Sequence, residues 1–334
     1  TKGNNMINLK KVGVTALAGS LAMVAAASAD VAVSGSAEVT YNSNSATTKG
    51  GVAGNPFGMT HNWNITGSGE LDNGMTYSAN SNFDGQDMGA DSTILTLDMG
   101  DMGKLAFDQG SGGYGISTLE NKVPTAYEEA DHGVGVLGHG IDANGNTNVI
   151  GYSNTFSGVK LSLEINPDIS TQTFTQAGGN SGGGKTGSEV NFALSGAVPG
   201  VDGLTLAVGH AKVDRLEGVS DTTETTGAIN YSMGAFSVGY QLSDVKGGDS
   251  AGAAVTAYGV AFNVNENLSI SYSINDNEKR NVSAVHVTEE SKGYQAAYSM
   301  GSASIRLAIN EADNVNGVVG DKAENTELSV SLAF

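Results

Sequence analysis

One long polar segment, residues 110–146, holds a group of acidic side chains. Its carboxylates are Glu120, Glu128, Glu129, Asp131 and Asp142. Carboxylates at such spacing give a negative face that attracts cations. A polar segment of this length in a compact domain is usually functional, and an ordinary solvated loop is the alternative. Within it, residues 121–133 suggest a short helix, with Pro124 near the first turn and Thr125 nearby as a cap.

Metal chemistry has only weak support. Asp142, Asn144 and Asn146 space oxygen ligands as a calcium loop does, but Thr147 stands where that motif needs glycine and no glutamate occupies its twelfth position. A weakly bound Ca²⁺ is therefore one possibility, and a polar turn is the other. The five histidines are dispersed and there is no cysteine, so no zinc motif forms. We otherwise expect no cofactor.

Two patterns that resemble enzyme motifs lack the required context. Residues 179–186, GNSGGGKT, match the phosphate-binding P-loop, which needs a buried strand before it and a helix after it. Polar residues precede this match and an alternating, strand-like pattern follows, so we expect an exposed flexible loop. Glu289 and Glu290 follow His286 in another loop, but no strand-borne serine–histidine set stands out. We therefore expect no catalytic site.

The elements that would position these residues are strands, because apolar and polar residues alternate along the chain with a period of two. Repeated segments show this alternation, at 31–41, 76–83, 160–165, 204–208, 235–240, 255–262, 268–274, 304–309 and 328–334. One face of these segments carries serine, threonine, asparagine and glycine, and the other carries aliphatic and aromatic residues. This distribution suits a water-filled interior and a lipid-facing exterior.

The connections between strands alternate between tight turns and long polar loops, as in an up-and-down sheet with turns on one rim and loops on the other. Pairing them gives about sixteen strands. A soluble β-sandwich also alternates in hydrophobicity, but it rarely sorts its loops by length. Closure is required in lipid, where no backbone N–H or C=O can be left unpaired. The sequence therefore predicts an all-β, antiparallel transmembrane β-barrel.

The last strand, LSVSLAF, places Leu328, Val330, Leu332 and Phe334 on one face. Chain ends usually fray, so an aromatic end to an alternating strand indicates that the end is held. We expect it to pair with residues 31–41 and close the barrel, with its apolar residues facing lipid and Phe334 in the interfacial aromatic girdle.

The first residues predict export. Lys10 and Lys11 precede an apolar run at 12–26 and a small-residue cleavage pattern at 27–29, which together are typical of a secretory signal peptide. Residues 1–5 then precede a natural start at Met6, and residues 30–334 form one barrel domain. The formal net charge of −19 argues against nucleic acid as a partner.

Four stretches resemble the general-diffusion porins of the Gram-negative outer membrane, most of all the sixteen-stranded trimeric porins of alphaproteobacteria. They are the start LKKVGVTALAGSLAMVAAASADVAVSGSAEVTY, the hairpin TLDMGDMGKLAFDQGSGGYG, the loop LENKVPTAYEEADHGVGVLGHG and the end LSVSLAF. The resemblance implies a homotrimer in outer-membrane lipid that passes ions and small hydrophilic solutes by passive diffusion. It also implies insertion by the barrel-assembly machinery through the C-terminal strand, and a third extracellular loop folded into the lumen as the constriction.

A constriction needs a wall opposite its acidic loop. Strand alternation points Lys104, Lys160 and Arg306 into the lumen, because each lies beside an outward-reading apolar residue. We hypothesise that Glu120, Glu128, Glu129 and Asp131 face these cations across the pore and that the excess of acid gives a mild cation preference. The alternatives are an outer-membrane barrel hydrolase and a structural or adhesive surface protein. The second would show a fixed internal repeat, and the sequence shows none.

Overall fold

The computed structural model describes residues 30–46, 55–85, 89–110, 113–135, 148–167, 187–215, 220–247, 252–279 and 286–334. Within these residues, sixteen antiparallel strands pair each with the next along the chain, and the last pairs with the first. The predicted all-β, sixteen-stranded closed barrel is confirmed. Residues 1–29, which carry the predicted signal peptide, lie outside the described residues.

The strands differ in length, and the shortest of them is β5. Their bounds are β1 Asp30–Ala46, β2 Phe57–Glu70, β3 Thr76–Asp84, β4 Gly89–Asp98, β5 Lys104–Gln109, β6 Val149–Phe156, β7 Val159–Asn166, β8 Gly187–Ala197, β9 Leu204–Arg215, β10 Thr222–Met233, β11 Phe236–Gly247, β12 Ala253–Asn263, β13 Leu268–Lys279, β14 Val287–Met300, β15 Ala303–Asp313 and β16 Lys322–Ala333. Three short 3₁₀ helices lie at Gly100–Met102, Gly115–Leu119 and Val315–Gly317. Among the described residues, no helix is both long enough and apolar enough to span a membrane.

Tight turns join the even-numbered strands to the odd-numbered strands that follow them, so these turns share one rim of the barrel. The turn between β6 and β7 contains only Ser157 and Gly158, and both have positive φ, at 50° and 86°. That conformation matches the right-handed twist of a two-residue hairpin. The longer connections, including the acidic segment between β5 and β6, therefore begin and end at the opposite rim.

The alternation of residues along β16 shows how the wall is built. Leu328, Val330 and Leu332 are 43%, 43% and 52% exposed on the outside, whereas Ser329 and Ser331 are buried on the inside. An exterior with exposed apolar side chains suits contact with lipid, and an interior with small polar side chains suits water.

The barrel closes between β1 and β16. Their register runs from Ser36 opposite Ala333 to Ala46 opposite Ala323. Beyond it, Gly35 and Phe334 exchange two backbone hydrogen bonds of 2.8 and 2.9 Å. Closure by the last strand is as predicted, but the paired segment of β1 starts later than residue 31, because barrel closure requires a stagger between first and last strands.

The aromatic ring of Phe334 packs edge-on against Trp63, with ring centroids 4.9 Å apart. A Cβ atom on Gly35 would lie 2.7 Å from Cε2 of Phe334 and 2.9 Å from the backbone oxygen of Asn62. Glycine is therefore required at residue 35 for the Phe334 ring to pack against Trp63.

We predict that Gly35→Val destabilises the refolded barrel by about 2 kcal/mol, because the added side chain displaces Phe334 and strains the closing seam. Chemical unfolding in detergent measures the change. Gly67→Val is the matched control, since a Cβ at this outward-facing position meets nothing within 4 Å. Equal stability of the two variants would contradict the predicted role of Gly35.

Candidate functional site

The connection between β5 and β6 turns into the barrel. We call its described residues 113–135 the lumenal loop. Their backbone N–H groups donate hydrogen bonds to inward-facing side chains of the wall, in pairs that run around the barrel: Gly115 to Ser162 at 2.8 Å, Ile116 to Asn191 at 2.9 Å, Lys122 to Gln241 at 2.8 Å, Ala126 to Ser271 at 2.7 Å and Tyr127 to Gln295 at 3.1 Å. The predicted inward-folded third loop is confirmed.

These bonds explain why the helix expected at residues 121–133 is absent from that fully described stretch. Backbone N–H groups that bond to Gln241, Ser271 and Gln295 cannot also bond to carbonyls four residues earlier. The loop instead follows the wall: its 3₁₀ helix at Gly115–Leu119 comes before the expected helix, and turns closed by the N–H groups of His132 and Val134 lie at its end.

Glycines on the inner wall make room for the loop. A Cβ on Gly239 would lie 2.4 Å from Cδ of Pro124, and one on Gly259 would lie 2.7 Å from the Pro124 carbonyl oxygen. Gly209 likewise lies beneath Ile116. The close approach of loop and wall thus depends on missing side chains at inward positions of β9, β11 and β12.

Two buried glutamines hold the middle of the loop, because the side-chain oxygen and nitrogen of each bond to the loop backbone. Gln241 accepts from the N–H of Lys122 and donates to the carbonyl of Leu119 at 2.7 Å. Gln295 accepts from the N–H of Tyr127 and donates to the carbonyl of Glu128. Each amide therefore satisfies one donor and one acceptor of the loop backbone.

The beginning of the loop rests on a buried amide between two buried carboxylates. The Nδ2 atom of Asn191 donates to Glu189 at 2.7 Å and to Glu164 at 3.2 Å, while its Oδ1 accepts from the N–H of Ile116. Glu164 and Glu189 are 0% and 1% exposed. One asparagine thus links two buried acids on β7 and β8 to the loop.

The later part of the loop is held by the cation on β15. Nη2 of Arg306 lies 2.7 Å from Oε1 of Glu38, and its guanidinium stacks on the Tyr127 ring, 4.4 Å from the centroid. The Tyr127 hydroxyl donates to Glu327 at 2.7 Å. Burial of the Tyr127 phenol, and then the hydrogen bond to Glu327, raise its pKa, so the hydroxyl stays protonated.

His132 extends this network. Its Nε2 lies 3.1 Å from Glu327 and its Nδ1 3.7 Å from Glu128, while its carbonyl accepts from Asn310. The hydrogen bond with Glu327 raises the pKa of His132, and Glu128 adds to the rise although partial burial opposes it. Burial raises the pKa of Glu128 above its ordinary value. The imidazole between two carboxylates therefore anchors the end of the loop, and its raised pKa favours the protonated form.

We predict that this anchor weakens as the pH rises. A raised histidine pKa stabilises the folded loop below the ordinary value of about 6.5, and this stability is lost as the pH passes through the raised value. Ionisation of Glu128, whose pKa is also raised, acts in the same direction. Current noise through single channels should therefore increase as the pH rises above the ordinary histidine value of about 6.5.

His132→Gln should remove most of this pH dependence, and His61→Gln, on the outward face of β2, should leave it unchanged. An unaltered pH profile in the His132 variant would show that the anchor is not the titrating group.

The structure separates the other predicted cations. Lys104 pairs with Asp98 at 2.8 Å beside the turn between β4 and β5, and not with the lumenal loop. Lys160 is the second residue of β7, beside the next turn. Burial lowers the pKa of Lys122 on the loop, and the charge of Lys160 lowers it further. Of the three predicted wall cations, Arg306 is the one that contacts the loop through a stacked aromatic ring.

The predicted acids also differ in position. Glu120 is exposed, and Glu128, Glu129 and Asp131 are half-buried in the loop. The weak calcium candidates Asp142, Asn144 and Asn146 lie outside the described residues, as do His139 and the P-loop-like residues 179–186. Among the residues that are described, no cluster of three or more histidine, aspartate or glutamate side chains could hold a metal ion.

Comparison with known proteins gives one family. A family model described as Gram-negative porin matches residues 13–334. No curated protein sequence matches the chain.

Solved structures similar to this one are also porin-like barrels. They include OmpF of Salmonella typhi in complex with daunomycin, at 10% identity and a TM-score of 0.66 over 91% of this chain and 97% of that chain. OmpT, an outer membrane protein of Vibrio cholerae, has 10% identity and a TM-score of 0.65 over 94% and 100%. An anion-selective porin from Comamonas acidovorans has 15% identity and a TM-score of 0.62 over 92% and 100%. At these identities the likeness shows the fold.

Proposed function

Because the chain belongs to the Gram-negative porin family, we propose that its barrel lets ions and small hydrophilic solutes cross the outer membrane by passive diffusion, with the lumenal loop as the constriction. The observation that carries this proposal is the loop's attachment to the inner wall at Gln241 and Gln295. A loop fixed along the wall narrows a barrel without occupying its whole cross-section. The family favours a channel over the hydrolase and adhesin alternatives.

Swelling of proteoliposomes in isotonic solutes of increasing size tests passive diffusion. We expect rapid swelling in small sugars and a steep fall in rate as solute size increases, because the loop limits the opening. Proteoliposomes that swell no faster than protein-free vesicles in any solute would contradict the proposal.

We further propose a mild cation preference, set by the charges that line the opening. Arg306 is already paired with Glu38, so its positive charge is largely compensated at the loop. The predicted acids Glu120, Glu128, Glu129 and Asp131 remain on the loop itself. Fixed negative charge in a pore favours the entry of cations.

The reversal potential under a salt gradient measures this preference. Arg306→Ala should shift it toward stronger cation selectivity, because Glu38 then loses its partner and adds negative charge to the opening. Unchanged conductance and selectivity in the variant would show that Arg306 is not part of the constriction.

We also propose that the protein is a homotrimer in outer-membrane lipid, exported by removal of residues 1–29. The outward-facing residues Leu328, Val330, Leu332 and Phe334 support a role for the last strand in recognition by the barrel-assembly machinery, since they form an exposed apolar row on the strand that closes the barrel.

A further inference from the structure

The inner wall of β2 and β3 carries a patch of amides. Asn62 and Asn64 on β2 alternate with outward-facing Trp63 and Ile65, and Asn80 and Asn82 lie beside them on β3. We call these four residues the amide patch. All four are half-buried, so the patch is partly accessible from the lumen.

The amide patch lies across the lumen from the middle of the loop. In the ring of sixteen strands, β2 and β3 are half a circumference away from β10 and β11. The loop's middle is fixed to β11 through Gln241. A solute that passes beside the loop therefore travels between the loop and the amide patch.

The patch also lies at the level of the loop. Glu38, which accepts a hydrogen bond from the Tyr127 hydroxyl, is opposite Thr60 in the pairing of β1 with β2. Ser36 is opposite Asn62 in the same register, two residues further along. Asn62 therefore lies two residues along the wall from the level at which Tyr127 of the loop contacts Glu38.

Hydrogen bonds among the amides fix their orientation. The Nδ2 atom of Asn82 donates to Asn62 and to Asn64, at 3.2 Å each, and the Nδ2 of Asn62 donates back to Asn82 at 3.1 Å. Asn64 donates to Asn62 at 2.8 Å, and Asn80 donates to Thr66 at 2.7 Å. These bonds take one N–H each from Asn62, Asn64 and Asn80, and a second N–H on each of these amides stays available to a solute.

The described strands that carry the amide patch and flank it offer no basic side chain that would attract an anion. The described segments of β1, β2, β3 and β4 contain no lysine or arginine. A hydroxyl group both donates and accepts a hydrogen bond, and so does a primary amide. The chemistry that fits an oriented, uncharged set of amides is therefore a neutral solute with several hydroxyl groups.

We propose that the amide patch binds uncharged polyhydroxylated solutes, sugars and polyols, as they pass the lumenal loop. This inference rests on the proposed channel function and adds a solute class to it. Binding makes the flux of such solutes saturable, whereas a bare constriction would give flux proportional to concentration.

The test uses the reconstituted full barrel and sucrose as the probe. Single-channel KCl current is recorded at increasing sucrose, and each value is corrected for the bulk conductivity of the same solution. We expect a saturable reduction of current in the native protein. Asn64→Leu/Asn82→Leu, which keeps side-chain volume nearly constant, should raise the half-blocking sucrose concentration about tenfold, since hydrogen-bonding groups are lost.

Two further variants keep the test decisive. Asn80→Leu, at the amide that bonds to Thr66 and not to the other three, should weaken the block about fivefold and leave the bonds among those three intact. Ser68→Ala/Ser78→Ala removes two hydroxyls from the same two strands nearer the turn rim and should leave the block unchanged.

The outcomes separate the two proposals. A native channel that conducts KCl but shows no saturable sucrose block overturns the amide patch as a binding surface and leaves the channel function standing. An equal block in native protein and amide variants also overturns it. A folded, inserted barrel that conducts no KCl refutes the channel function itself, and the patch's role with it.

Discussion

Gln241→Leu/Gln295→Leu is expected to release the lumenal loop from the wall and to raise single-channel conductance. The two glutamines bond to loop backbone at residues 119–122 and 127–128. Leucine leaves those backbone groups without their partners beside a buried wall, at a cost of about 2 kcal/mol for each glutamine. Planar-bilayer recording gives the conductance.

The matched control for this double variant is Gln109→Leu, which makes the same chemical change at an outward-facing position of β5 opposite Thr93. It should conduct as the native protein does. A double variant with native conductance and native noise would show that the loop's position does not depend on these amides.

Asn191→Leu is expected to destabilise the barrel by about 3 kcal/mol, the second large effect. The substitution removes a hydrogen-bond donor shared by Glu164 and Glu189, both buried, and an acceptor for the N–H of Ile116. Taking the partner away from a buried carboxylate is costly because the charge cannot regain its hydration. Unfolding in detergent monitored by tryptophan fluorescence, from the single tryptophan Trp63 on β2, reports the loss.

Asn44→Leu is the control for Asn191→Leu, because Asn44 lies exposed on β1. It should change stability by less than about 0.5 kcal/mol, the usual range for a surface substitution. Comparable destabilisation by both substitutions would contradict the claim that Asn191 is special.

The barrel could be predicted from local pattern because a strand's inward and outward faces alternate residue by residue. Leu328, Val330 and Leu332 are typical of a lipid face, and Ser329 and Ser331 of an interior face, whatever lies further away in the sequence. The alternation of tight and long connections then gives the strand count within a narrow range. Closure follows from the cost of unpaired backbone in lipid.

The loop's position was predicted from its length and from the family resemblance, but its path was not. That path depends on contacts between residues far apart in sequence, such as Tyr127 with Glu327 and Lys122 with Gln241. A signal for it exists in the sequence, since Gly239 and Gly259 lie at inward positions where a side chain would otherwise fill the lumen. The reason for these two glycines is clear only when the structure shows Pro124 packed against them.

The predicted charge arrangement illustrates the same limit. Strand alternation pointed Arg306, Lys104 and Lys160 inward, but inward direction does not give the height along the barrel or the nearest partner. Lys104 meets Asp98 across the pairing of β4 with β5, next to a turn. Arg306 meets Glu38 across the closing seam, a pairing between strands at opposite ends of the chain. Such partners follow from register and closure, which local patterns do not specify.

Single-channel conductance of the refolded protein in a planar bilayer tests the central claim, a water-filled barrel narrowed by its lumenal loop. We expect stepwise openings with a stable, ohmic current that increases when Gln241 and Gln295 are replaced. A folded barrel that inserts into the bilayer but carries no current, in both the native protein and that variant, would contradict the claim.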